Sequence, residues 1–135
     1  MVQKSVRQGQ TTERSKLLSP VIICSLLLLT GCVSIEDKKV VKQYHGHASW
    51  YQCCARTASG QKFNPNDFTV AHRHLPFGTI LRLTNVKNGN TIEAIVNDRG
   101  PFIKGREIDV SRRTADVLGF KGSGTAKLMI EVLEK

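Results

Sequence analysis

Aromatic residues are scarce in this chain of 135 residues, which has one Trp, two Tyr and five Phe. The basic residues are scattered rather than interleaved with them, so the aromatic-studded cationic stripe of a nucleic-acid surface is missing. Nucleic acid is therefore not an expected partner, despite a net charge of +9. No CxxC spacing occurs, which removes the commonest zinc arrangement. His45, His47, Cys53, Cys54, His72 and His74 could supply soft ligands, but adjacent cysteines chelate poorly, and no metal or other cofactor is expected. No apolar run approaches the ~20 residues that cross a bilayer as a helix. No repeat or low-complexity stretch is present, and the length allows one domain at most.

The first thirty residues read differently from the rest. Lys4, Arg7, Arg14 and Lys16 stand against Glu13 alone, and Leu17 to Thr30 is largely apolar. A charged region followed by a short hydrophobic one is the layout of a secretory signal. It ends in Leu29-Thr30-Gly31-Cys32, which resembles a bacterial lipobox. That resemblance implies cleavage after Gly31, a lipid on the Cys32 sulfur and an acylated new terminus. Several acyl chains, at ~0.8 kcal/mol per buried CH₂, anchor a protein stably. Val33 in place of an Asp implies, on the same resemblance, the periplasmic face of the outer membrane.

The expected organisation is a lipoprotein signal over 1–31, a polar tether over 32–43 and a folded domain over 44–135. After the signal the chain keeps 16 of 20 basic and 10 of 11 acidic residues, a net charge of +6. Outside the cytoplasm the anionic partners are peptidoglycan carboxylates and lipid phosphates. Cys53 and Cys54 meet an oxidising compartment there. A strained ring, two free thiols and a link to another molecule all remain open.

From Tyr44 onward the pattern is of short β-like runs broken by turn signals. His45 to Tyr51, Ile80 to Thr84, Thr91 to Val96, Gly105 to Val110 and Ala126 to Leu133 read as strands. Lys87-Asn88-Gly89-Asn90 carries a type I′ hairpin signal. Ser111 reads as an N-cap, with a helix from Arg112 to Leu118 closed by Gly119.

The chemistry-bearing residues cluster in four blocks. Asn97-Asp98-Arg99-Gly100-Pro101-Phe102 sets a carboxylate beside a guanidinium before a Gly-Pro bend. Asp109 follows in Arg106-Glu107-Ile108-Asp109-Val110-Ser111. Upstream stand Thr57-Ala58-Ser59-Gly60-Gln61 and Ala71-His72-Arg73-His74-Leu75-Pro76-Phe77-Gly78. Cleaving a glycosidic bond needs an acid for the leaving oxygen. One group can serve as acid and then as base when the attacking hydroxyl comes from the substrate itself. Asp98 and Asp109 are the candidates, with His72 as an orienting or proton-shuttling partner. The plainer readings are a turn residue for Asp98, a helix-start acid for Asp109 and a structural histidine for His72. Trp50 and Tyr51 alternate across a strand, so one packs inward and the other is free to stack on a sugar.

These blocks, with Ala48-Ser49-Trp50-Tyr51, Thr84-Asn85 and Asn88-Gly89, resemble the rare lipoprotein A (RlpA) family over about 90 residues. The resemblance implies an all-β, six-stranded double-psi β-barrel with one short helix, acting on peptidoglycan. It implies catalytic roles for His72 and Asp98, and Asp109 matches the acid used on the same barrel by expansins and by the lytic transglycosylase A group. Gln61 stands where lytically active members carry an acid. An amide keeps the shape and can bind a sugar, but moves no proton. Two functions follow: a lytic transglycosylase in which Gln61, Arg99, Trp50 and Tyr51 contact the glycan, or a non-catalytic, expansin-like binder. The protein is expected to be a monomer. Many relatives carry a C-terminal SPOR module, for which no length is left after the last strand.

Overall fold

A computed structural model describes residues 37–135. The expected signal, the expected lipid acceptor Cys32 and the first part of the expected tether lie outside the described residues. Six strands and one helix follow: β1 (Val40–Tyr51), β2 (Thr69–His72), β3 (Ile80–Asn85), β4 (Thr91–Asp98), β5 (Ile108–Ser111), α1 (Arg112–Val117) and β6 (Thr125–Leu133). The strands close into a barrel in the order β1-β5-β2-β4-β3-β6. β1 with β5 and β2 with β4 pair in parallel, and the other four pairings are antiparallel. This is the expected double-psi β-barrel with its one short helix.

Alternation of side chains builds the core. Leu81 and Leu83 of β3, Val96 of β4, Ile108 and Val110 of β5, and Leu128 and Ile130 of β6 are all fully buried. Each contributes ~1.5–3 kcal/mol through removal from water. Helix α1 is capped as its sequence predicts: the Ser111 hydroxyl accepts from the Thr114 N–H, and Gly119 follows with φ 76°.

Four expectations are corrected. Strand β1 begins at Val40, so residues 40–43 belong to the barrel rather than the tether; Val40 to Gln43 pair with Leu133 to Glu131 of β6. Strand β2 is new, held by β4 on one side and β5 on the other. Strand β5 starts at Ile108, because the residues before it are held in a turn, the Arg106 N–H donating to the Ile103 carbonyl at 3.2 Å with Gly105 at φ 87°. The β3–β4 hairpin exists, but only Gly89 has positive φ (78°) and Asn88 does not, so the turn is not type I′. Asn88 instead folds its side chain back, accepting from the Asn90 N–H at 2.9 Å.

Candidate active site in the barrel cleft

The registers of four neighbouring strands line up one row of residues. Ser49 of β1 pairs with Asp109 of β5, Asp109 with Ala71 of β2, and Ala71 with Asp98 of β4. Two inter-strand spacings put the backbones of the two acids roughly 10 Å apart. Between them Ala71 presents only a methyl group. The row floors an open cleft of about 470 Å³ lined by Asp98, Asp109, Tyr51 and Ala71. Its walls include the Cys53–Cys54 pair, Arg56 and the loop from Pro101 to Arg106.

Asp98 is the most firmly held of these groups. Its Oδ1 accepts from the Ala58 and Arg99 N–H groups, both at 2.8 Å, and its Oδ2 accepts from the Tyr51 hydroxyl at 2.9 Å. The 57–61 turn delivers the Ala58 donor. That turn is tied by Thr57 N–H to the Gln61 carbonyl and Gly60 N–H to the Thr57 carbonyl, both at 2.9 Å. Tyr51 is fixed from its other end by stacking on Phe63, with ring centres 5.0 Å apart. Burial, then the charge and hydrogen bond of Asp98 and the charge of Asp109, push the Tyr51 phenol well above its usual range. It therefore stays protonated and donates to Asp98. Asp109 accepts from the Ser49 hydroxyl and faces Arg106 at 3.8 Å.

The other expected site residues take different places. His72 is not among the cleft-lining residues; strand alternation sends it to the face opposite Ala71. Its Nδ1 accepts from the His74 and Leu75 N–H groups at 3.0 and 2.9 Å, so its proton sits on Nε2, 3.3 Å from the Tyr44 hydroxyl. Burial, with the nearby His74, lowers its pKa from 6.5, and Glu107 opposes that shift while Arg73 and Arg99 add to it. Arg99 lines the cleft, yet its Nη1 donates to the His72 and Leu75 carbonyls at 3.1 and 2.9 Å. Its guanidinium also lies 3.9 Å from the Phe77 ring centre. Trp50 turns from the cleft, packs against the core and donates to the Lys121 carbonyl, leaving Tyr51 as the cleft-facing aromatic. Gln61 is exposed and accepts from Asn97 Nδ2 at 3.2 Å, one residue from Asp98, without lining the cleft.

Cys53 and Cys54 are bonded to each other, with Cys54 at φ 73°. Two cleft features escape the sequence reading: Phe102, 82% exposed on the rim, and Arg106 beside Asp109. A second hollow of about 640 Å³, bordered by Asn88, Gly119, Ser123 and Lys127, is larger but has no acid or histidine in its lining.

A family model described as lytic transglycolase matches residues 43–130. A probable endolytic peptidoglycan transglycosylase RlpA of Synechocystis is 44% identical over 134 residues, 93% of this chain. This chain belongs to the RlpA family. A second probable RlpA transglycosylase, from Nostoc, is 56% identical over 77 residues, 57% of the chain. The endolytic peptidoglycan transglycosylase RlpA of Rickettsia felis is 44% identical over 65% of the chain. The chain spans 42%, 21% and 41% of the length of these three RlpA relatives respectively. Among solved structures, the Streptomyces papain inhibitor superposes with TM-score 0.59 at 19% identity, covering 73% of this chain and all of that one. An apo Clavibacter michiganensis expansin gives 0.57 at 20% identity, covering 70% of this chain and 52% of that one. At those identities the likeness is one of fold.

Proposed function

We propose that this RlpA domain is an endolytic transglycosylase of the bacterial cell envelope, cleaving peptidoglycan between N-acetylmuramic acid and N-acetylglucosamine. The observation that carries the reading is Asp98, held by three donors in an open cleft, in a family whose relatives are named for that activity. Two backbone N–H groups occupy Oδ1, which leaves Oδ2, oriented by the Tyr51 hydroxyl, as the oxygen that carries a proton to the substrate. Asp98 gives that proton to the glycosidic oxygen as the bond to C1 breaks. The same oxygen then takes the proton from the muramic 6-hydroxyl as it closes on C1 to form the anhydro ring. Asp109 lies across Ala71, where its charge stabilises the cationic sugar. His72 and Arg99 support the 72–75 turn beside Asp98.

The proposed setting is the periplasmic face of the outer membrane, with the domain monomeric and anchored through lipid on Cys32. The second reading, a glycan binder without turnover, draws on the amide at Gln61. Mass spectrometry of soluble products from purified sacculi incubated with the full chain in detergent separates the two. Anhydro-muramyl products that disappear in Asp98→Asn are expected. Sacculus binding with no products from either protein would leave the binder.

A further inference from the structure

Three guanidiniums border the cleft, and they are not equally occupied. Arg56 donates from Nη1 to the Gly60 carbonyl at 2.9 Å, and Arg99 donates to two carbonyls and rests on Phe77. Arg106 has neither kind of partner. Its Nε is buried with no hydrogen-bond partner among the described residues. Its contact with Asp109 Oδ1 is an ion pair at 3.8 Å, too long for a hydrogen bond, and that oxygen already accepts from Ser49. A buried N–H left unmade is costly, and a guanidinium carries five donors in a planar fork that fits a carboxylate at two points.

The backbone around Arg106 is fixed. Its N–H donates to the Ile103 carbonyl at 3.2 Å, across Gly105 with φ 87°. The same loop exposes Phe102 by 82% and Ile103 by 56% at the rim. One loop thus offers an apolar face and an under-used cation a few residues apart. A sugar with C–H faces and an acidic substituent has the matching chemistry, and a neutral sugar does not.

We propose that Arg106 is a carboxylate-binding subsite of the cleft, recognising an acidic substituent on the glycan strand. The inference rests on the peptidoglycan reading above. Such carboxylates have two sources: the lactyl group of a muramic acid without a stem peptide, and the stem peptide itself where one is attached.

The test measures binding of two glycan preparations, peptide-free and peptide-bearing. Each is used as isolated and after conversion of its carboxylates to primary amides. The protein is the full chain in detergent carrying Asp98→Asn, so that ligand is not consumed. With Arg106 present, one preparation binds about tenfold tighter as the acid than as the amide. Preference on peptide-free strands identifies the lactyl carboxylate, and preference on peptide-bearing strands the stem peptide. Adding Arg106→Gln removes the preference while amide binding persists, and Arg106→Lys keeps part of it. A role confined to positioning Asp109 would weaken acid and amide alike. Glycan binding with no acid preference, or with the same preference in Arg106→Gln, overturns the subsite and leaves the peptidoglycan reading intact. No binding to any preparation overturns both.

Discussion

The two ends of β4 treat polar groups in opposite ways. At its start, the hairpin asparagines are spent on structure: Asn85 and Asn88 donate to the Leu118 carbonyl at 2.9 and 3.0 Å, and Asn90 to Val117 at 3.2 Å. Their oxygens are used too, Asn85 accepting from Lys87 N–H and Asn88 from Asn90 N–H. Three amides therefore close the carbonyl end of α1, where few such groups find partners within the helix. At the other end, about eight residues and ~25 Å away, Asp98 and Asp109 face an open cleft and Arg106 keeps a donor unpaired among the described residues. The larger hollow lies at the first end, yet the acids lie at the second. Unspent bonding capacity, rather than volume, distinguishes the site.

Substitutions at the two ends should therefore fail in different ways. Asp98→Asn is expected to lose ~10²–10⁴-fold in anhydro-product formation with little change in melting temperature. Asn85→Ala removes a buried donor and leaves Leu118 with one partner fewer. It should lower stability by ~1–3 kcal/mol and leave turnover per folded molecule unchanged, as denaturant titration and sacculus assays would report. A large rate loss in folded Asn85→Ala would erase the distinction between the ends.

Much of this contrast could be read from residues alone, but unevenly. Strands β3 and β6 announce themselves by alternation, β4 by its β-branched and apolar run, and α1 by Ser111 and Gly119, because those signals are local. Strand β2 has four residues and no flanking alternation; pairing with β4 and β5, distant in sequence, makes it a strand. The acids Asp98 and Asp109 were visible through their motifs. Their alignment across Ala71 was not, since register between strands distant in sequence leaves no mark in the chain. Nor could the sequence show that Ala58 supplies a backbone N–H, or that His72 spends Nδ1 on a turn. The asparagine clamp read only as a hairpin signal, because its carbonyl partners lie in a helix about thirty residues on.

Phe102 sharpens the cleft side of the comparison with a smaller effect. At 82% exposure it contributes little to the fold. Covering one ring face with a sugar would stabilise the complex by ~1 kcal/mol, so Phe102→Ala should raise KM for glycan strands about fivefold with kcat and melting temperature unchanged. Phe102→Tyr should restore affinity. A fall in melting temperature instead would make Phe102 a packing residue and shrink the open end to its acids.

The smallest effect separates the two faces of β2. His72 is buried as the neutral ring, with Nδ1 accepting from two backbone N–H groups. Its folded pKa is lowered from 6.5, chiefly by burial and then by His74. The unfolded chain therefore binds the proton more readily. The stability His72 contributes is fully present above pH 6.5 and is lost as pH falls below that toward the lowered folded value. Melting temperatures at pH 7.5 and 5.5 should differ more for the wild-type chain than for His72→Gln, which cannot titrate. The catalytic reading of His72 makes a different prediction: a change in the pH dependence of turnover in folded His72→Gln, with the stability difference unchanged. Moving stability with pH while the pH profile of turnover stays put would assign His72 to the scaffold behind the cleft and leave proton transfer to Asp98.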